Sequence, residues 1–459
     1  MAGIGFELNK ILARPGYTSL MRAYGYAGLI GSGPWLVAVV SLALLGLVLT
    51  NLGLEEELRV FFVAISLVYA LTLVLTGPIQ MVLTRHAADQ QFIEKPENIF
   101  PTFVFTLAWT SLIFTVLGLV LFVGFVPGPL LFRLSAALLM VVVAGIWIAS
   151  IFLTAIKNYQ KVLMAFLIGC CASLLASWGL ATKLGMAGAM VGFVLGHALL
   201  LLLLCAAIYQ EVGNLAVGDA SFLDCFGKYR DLALAGLFYN LGIWVDKFLF
   251  WWFDPAADHV AGILYASPIY DRVVYFSFLT IVPGMAVFLL KLETEFAGRN
   301  QDFYQHVLKK GTLAQIGRMK AEMVGALRDG FGLLLKVQGM FTLLLILGAD
   351  RVLARLGLGA VQAGVFQIAL LGTLLLVVFM ALLMVLHYLD KRRDAMICCA
   401  TFAAVNAAVT AWSILEGERW FGVGFLVAAG TGMLMAAWFV NRHLHHLEHD
   451  TFASQSVYE

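Results

Sequence analysis

Leu232–Asp254, LALAGLFYNLGIWVDKFLFWWFD, and Tyr265–Phe296, YASPIYDRVVYFSFLTIVPGMAVFLLKLETEF, decide how the chain reads. Each holds enough apolar text to cross a bilayer, which takes about 20 residues. A short turn joins them. Four charges nevertheless interrupt the apolar runs: Asp246, Lys247, Asp271 and Arg272. A charge at the centre of a membrane helix costs at least ~2.5–3.5 kcal/mol, so such residues face a cavity or a partner. Asp246 lies about two turns inside the outer end of its helix. Asp271 lies one to two turns inside the start of the next, so at ~1.5 Å per residue the two pairs sit at similar depth. Lys247 with Asp271, or Asp246 with Arg272, would neutralise each other. Such pairs either fix helix packing or form a polar patch along a substrate or ion path.

The rest of the chain has the same character. Of 459 residues, 62% are hydrophobic and 12% charged, half the charge of a soluble domain. The net charge of +1 gives no bias toward nucleic acid. Apolar runs recur at 27–50, 60–83, 100–125, 134–156, 162–182, 188–209, 231–253, 268–290, 331–348, 363–388, 395–415 and 421–441, which predicts twelve membrane spans. Basic residues orient them. With both ends inside, inward segments hold 20 of the 29 Lys and Arg and outward segments six. Both termini are therefore expected in the cytoplasm.

The spacing divides the chain into a cytoplasmic amphipathic N-terminus (1–25), six spans (26–210), a polar linker (211–230), six more spans (231–441) and a cytoplasmic tail (442–459). In the first segment Ile4, Leu8 and Ile11 share one helical face. Between spans 8 and 9 the inward loop 291–330 carries Ile316, Met319, Met323 and Leu327 at helical spacing, among Arg318, Lys320 and Arg328. That stripe predicts a basic amphipathic helix lying on anionic lipid or docking a cytoplasmic partner.

Gly and Pro mark where spans bend. Gly31, Gly33 and Pro34 lie near the inner end of span 1, which reads as a bent or interrupted helix or as close packing through small residues. Gly77-Pro78 in span 2 and Pro283-Gly284 in span 8 occupy matching places in the two halves: LTGPIQMVLTR (Leu75–Arg85) and TIVPGMAVFLLK (Thr280–Lys291). Internal repeats of this kind build many transporters.

Enzymatic signatures are missing. There is no GxxxxGK[ST], HExxH or GxSxG, and no metal-spaced Cys/His cluster. The six cysteines fall in apolar runs or in one inward loop and predict packing, not a disulfide framework. His197, in an apolar helix, is expected to bond a neighbouring carbonyl, and the tail NRHLHHLEHD to be a solvated helical end. Lys336 is expected to snorkel to the inner surface. Around the charges lie Tyr239, Asn240, Trp244, Tyr270 and Tyr275, rings and an amide suited to a sugar polymer. Trp251 and Trp252 read as interface anchors.

The runs MAGIGFELNKIL (1–12), AYGYAGLIGSGPW (23–35), NLGIWVDKFLFWW (240–252) and YDR…LTIVPGMAVFLLKLETEF (270–296) resemble the PelG family, inner-membrane transporters of the Pel exopolysaccharide system. The resemblance covers essentially the whole chain. It implies the fold of the multidrug/oligosaccharidyl-lipid/polysaccharide (MOP) flippase superfamily: all-α, two six-helix lobes around a central cavity, open to one side at a time. It implies an N-acetylgalactosamine-rich polymer passing from cytoplasm to periplasm for a biofilm matrix. It also implies PelD- and PelE-type membrane partners, control by cyclic di-GMP through the former, and a cytoplasmic glycosyltransferase. No cofactor is implied; coupling to H+ or Na+ is open. Two other classes stand beside this one, a cation-coupled small-molecule antiporter on the same fold and a non-transporting scaffold of a polysaccharide synthase complex.

Overall fold

The computed structural model describes residues 17–92, 99–155, 159–213, 222–309, 311–355 and 357–453. It is all-helical apart from one β-hairpin. The elements are α1 (Tyr17–Asn51), α2 (Glu55–Phe92), α3 (Ile99–Gly118, continued by a π-helical turn Leu119–Gly124), α4 (Leu130–Ala155), α5 (Tyr159–Val212), α6 (Phe222–Lys228) and α7 (Arg230–Phe253). Strands β1 (Asp258–Ala261) and β2 (Leu264–Ala266) follow, then α8 (Asp271–Leu279), α9 (Val282–Val287), a π-helix Phe288–Phe296, α10 (Ala297–Leu308), α11 (Leu313–Arg355), α12 (Ala360–Tyr388), α13 (Arg392–Glu416), α14 (Val423–His445) and α15 (Leu447–Ala453).

Among the described residues, eleven helical segments are long and apolar enough to cross a membrane. One of them supplies two crossings. α5 leaves helical geometry at Gly185, with φ 61° and ψ −145°, a conformation that suits glycine. Its two arms then run antiparallel. A Cβ on Gly196 would fall 2.1 Å from Ser173 Oγ, one on Gly192 2.2 Å from the Ser177 nitrogen, and one on Gly188 2.2 Å from the Leu180 carbonyl oxygen. In lipid the apolar surface drives no helix association, and small residues that let backbones touch do that work instead. The expected split between spans 5 and 6, at 182–188, thus has its cause in Gly185 and the glycines after it.

The chain forms two compact units. One is Ser32–Pro268; the other joins Met1–Gly31 to Ile269–Glu459. The division expected in the linker 211–230 falls instead after α7 and the hairpin. α7 belongs with the spans of the first half because its backbone meets that of α2: a Cβ on Gly236 would lie 2.5 Å from the Gly77 carbonyl oxygen. Conversely, the start of α1 belongs with the second half. A Cβ on Gly31 would meet the Leu289 side chain at 2.5 Å, and one on Gly28 would touch Ala286 at 3.4 Å.

Four further expectations change. α1 is continuous through Gly31, Gly33 and Pro34, so span 1 is not interrupted. The turn between spans 7 and 8 is a β-hairpin, pinned by an Arg59–Asp258 ion pair. The described residues of segment 291–330 form a helical hairpin instead of a lipid-lying helix. α10 and α11 pack together, burying Phe303, Ile316, Met323 and Leu327, with Arg299 and Arg318 both on Glu322. The apolar stripe read as a lipid face is the seam of that hairpin. Met319 on the same stripe is half-buried. Finally, the tail is bonded: Lys320 reaches Glu448 at 2.9 Å and Lys391 reaches Asp450 at 2.8 Å. The Lys391 ammonium holds the Asp450 carboxyl below its usual range. The expected amphipathic segment lies mostly at residues 1–16, outside the described residues.

Candidate functional site

Within the Ser32–Pro268 unit, α7 carries the charges. Asp246 is completely buried and Lys247 is 7% exposed. Neighbouring residues on a helix point about 100° apart, so pairing them requires the lysine to fold back. It does: Lys247 Nζ donates to both Asp246 oxygens at 3.1 Å and to the Ile243 carbonyl at 2.7 Å. The ammonium also lies 5.7 Å from the centre of the Trp244 ring. Trp244 stacks on Phe248, and its indole Nε1 is buried without a hydrogen-bond partner. The pairing predicted between helices, Lys247 with Asp271, has a counterpart inside one helix.

Asp271 and Arg272 belong to the other unit. Asp271 is the first residue of α8, where the partial positive charge of a helix N-terminus favours a carboxylate. Arg272 is exposed. Tyr270, just before them, is fully buried, and Tyr275 is 40% exposed. Lys336 is exposed on α11. Trp251 is buried in the core with Leu264, Phe61 and Phe122, and so is no interface anchor; Trp252 is 42% exposed and donates to the Ile263 carbonyl.

Asn240 does a different job. Its amide donates to the Leu73 carbonyl on α2 at 3.0 Å. That carbonyl lies one turn before Gly77-Pro78, where proline removes a backbone donor and disturbs the ladder around it. Asn240 also lies against Gly77: a Cβ there would be 2.6 Å from its Nδ2 and 2.7 Å from the Gly236 carbonyl oxygen. Tyr239, its neighbour, is half-buried.

α2 is lined with hydroxyls and amides at one-turn intervals. Thr72 bonds the Val68 carbonyl, Thr76 the Thr72 carbonyl, Gln80 the Thr76 hydroxyl at 2.8 Å, and Thr84 the Gln80 carbonyl. Trp147 adds an indole bond to Thr72 Oγ1. One turn further out, Tyr69 meets His197 Nε2 at 2.7 Å. His197 Nδ1 faces the Phe193 carbonyl at 2.9 Å, so this nitrogen carries the proton and Tyr69 donates to the other. The expected carbonyl contact is therefore present, with Tyr69 and Ser173 as partners that the sequence reading missed. The four-residue spacing of Thr72, Thr76, Gln80 and Thr84 was the available signal.

In the other unit, span 8 is broken. α8 ends at Leu279 and α9 begins at Val282, just before Pro283. Gln338 of α11, fully buried, bridges the gap. Its Oε1 accepts from the Gly284 N–H at 2.9 Å, and its Nε2 donates to the Thr280 carbonyl at 2.9 Å. At the C-terminal end of α14 His443 bonds Asp394 at 2.5 Å and stacks on Phe439.

Solved membrane-transporter structures share this many-helix fold. An outward-facing multidrug resistance MATE family transporter of the MOP superfamily superposes with a TM-score of 0.60 at 12% identity, over 98% of this chain and 99% of that one. A MOP superfamily transporter from Pyrococcus furiosus, described by a reversed polarity of its binding pocket, gives 0.59 at 13% identity, over 97% and 99%. A MATE transporter in its bent conformation gives 0.58 at 13%, over 97% and 99%. No curated protein matches in sequence. The model of one family, described as "PelG: Putative exopolysaccharide Exporter (EPS-E)", matches residues 1–452. The chain belongs to the PelG family. It is a multi-pass membrane protein, and family and fold point to a transporter rather than an enzyme.

Proposed function

We propose that the protein passes an N-acetylgalactosamine-rich exopolysaccharide from the cytoplasm to the periplasm across the bacterial inner membrane, with both termini cytoplasmic. It works beside PelD- and PelE-type partners and a cytoplasmic glycosyltransferase. The observation that carries this reading is the buried Asp246–Lys247 pair on a bilayer-spanning helix, next to an indole N–H without a partner. A membrane helix has no structural need to bury such a pair, and apolar residues of the same size are often as stable. Asp246, Lys247 and Trp244 are the residues we place on the path. A polymer offering hydroxyls, amides and C–H faces suits rings and a charged pair. Bending at Pro34, Pro78 and Pro283 accommodates the change between states.

A cation-coupled drug antiporter is disfavoured by one observation: the spans predicted in the first half hold no acidic residue.

Two variants test the site. Asp246→Asn strands the Lys247 ammonium and should abolish export with the protein still in the membrane. The double variant Asp246→Leu with Lys247→Met removes both charges and keeps the volume. Export should stay lost. If the double variant exports normally, the pair only holds helices together. Polymer is assayed in cytoplasmic, periplasmic and external fractions; polymer trapped in the cytoplasm of a deletion strain marks translocation as the missing step.

A further inference from the structure

The break in span 8 contains a pair of groups that an unbroken helix would join. Gly284 N–H and the Thr280 carbonyl are four residues apart, the spacing of an α-helical bond. Here neither uses the other. Gln338 stands between them, accepting from one and donating to the other, each at 2.9 Å. The break is close-fitting: a Cβ on Gly284 would lie 2.7 Å from Gln338 Oε1. Glycine at 284 is what lets the amide in.

One turn further along α11 is Thr342, 1% exposed, whose hydroxyl has no hydrogen-bond partner among the described residues. Buried hydroxyls are nearly always bonded, so an orphan asks for an explanation. In this molecule the ordinary solution is plain: Thr72, Thr76, Thr106 and Thr373 each donate to the carbonyl four residues back. Thr342 does not. A glutamine and a threonine four residues apart share one face of a helix, and α2 shows such a pair bonded in the opposite order, Gln80 Nε2 reaching back to Thr76 Oγ1 at 2.8 Å, where Gln338 reaches forward to Thr342.

We propose that Gln338 is a positioning residue with two seats. In the first, seen here, its amide bridges Gly284 and Thr280 and holds span 8 broken. In the second, the amide turns to the Thr342 hydroxyl, Gly284 N–H closes on the Thr280 carbonyl, and the break becomes helix. Each state leaves one side-chain group without a partner, the Thr342 hydroxyl in the first and one end of the Gln338 amide in the second, and neither strands the Gly284 N–H or the Thr280 carbonyl in an apolar interior. Pro283 keeps the two states close in stability, because it denies the Leu279 carbonyl its usual donor in both. Transport, on the reading above, needs such a bistable element in a span.

The test reads the span itself and needs no polymer, so it stands whatever the cargo proves to be. Genetically encoded spin-label residues replace Tyr275, which is 40% exposed, and Gly298, whose added Cβ meets nothing within 4 Å. Electron–electron distances are measured on the full chain in nanodiscs. The parent should show two distance populations. Thr342→Val keeps the shape but removes the second seat, and should leave only the broken-helix population. Thr342→Ser, which keeps the hydroxyl, should restore both. Gln338→Leu, if it folds, should lose the broken population. Export by Thr342→Val without labels should fall at least tenfold at unchanged protein level. A distance distribution that Thr342→Val leaves unmoved overturns the proposal, whatever Gln338→Leu does.

Discussion

Span 2 and span 8 carry the same sequence device and meet it with opposite structures. Both place Pro beside Gly at a similar depth: Gly77-Pro78 and Pro283-Gly284. α2 nevertheless stays helical from Glu55 to Phe92, whereas span 8 parts between Leu279 and Val282. The difference lies in the neighbour. At Pro78 the adjoining helix α7 comes in backbone to backbone, Gly236 against Gly77, and Asn240 supplies one hydrogen bond to the Leu73 carbonyl. At Pro283 the adjoining helix α11 sends in a longer amide that takes both a donor and an acceptor. Proline removes one bond from the ladder in each case. Whether the helix closes over the loss or opens around it depends on what stands beside it.

That contrast can be broken at its strongest point first. Gly236→Val puts a branched side chain where the Gly77 carbonyl oxygen is 2.5 Å away and the Met81 side chain 2.7 Å away, and the backbone of α2 cannot give. Overpacking of this kind costs on the order of 3 kcal/mol or more, and here it should leave little folded protein, read as monodisperse material after extraction. A variant as stable as the parent would show that the α2–α7 contact is loose.

Next, the two amides should differ in weight. Gln338→Leu removes two hydrogen bonds; Asn240→Leu removes one, to a carbonyl inside a continuous helix. At about 0.5–1.5 kcal/mol for each bond lost, the first should cost about twice the second, measured as loss of thermal stability in detergent. Equal losses would mean that the bridge across span 8 is no more than a cap.

The prolines follow. Pro283→Ala returns a donor for the Leu279 carbonyl and should favour a closed helix, visible as protection of residues 279–287 from hydrogen exchange. Pro78→Ala should change exchange little, since α2 is already continuous. The smallest effect is expected at Gly284→Ala against Gly77→Ala. The first clashes with the end of a side chain that can move, the second with backbone, so the first should be the milder by about 1 kcal/mol or more. The reverse order would place the rigid contact at span 8.

Much of the architecture was legible beforehand. Twelve apolar runs and sorted basic residues follow from the bilayer as solvent, which acts on composition and length alone. The Gly and Pro positions were legible too. So was the buried pair Asp246–Lys247, because a charge in apolar text is conspicuous wherever it folds. What could not be read was the contact within one helix: Lys247 also bonds its own neighbour Asp246, which helix geometry does not suggest. Ile316, Met323 and Leu327 made a stripe that serves lipid or protein equally well; only α10 and its Phe303 decided for protein.

The sequence by itself determined that this is a helical membrane protein, where its helices cross, and which points in them are weak. The solvent dictates these, and each depends on residues near one another in the chain. The tertiary structure alone decided that α7 joins the spans of the first half, and that Asn240 and Gln338 answer the two prolines. It alone showed that Thr342 has a hydroxyl to spare. Those depend on approaches between residues far apart in sequence, where one glycine's missing Cβ sets which backbone comes within reach.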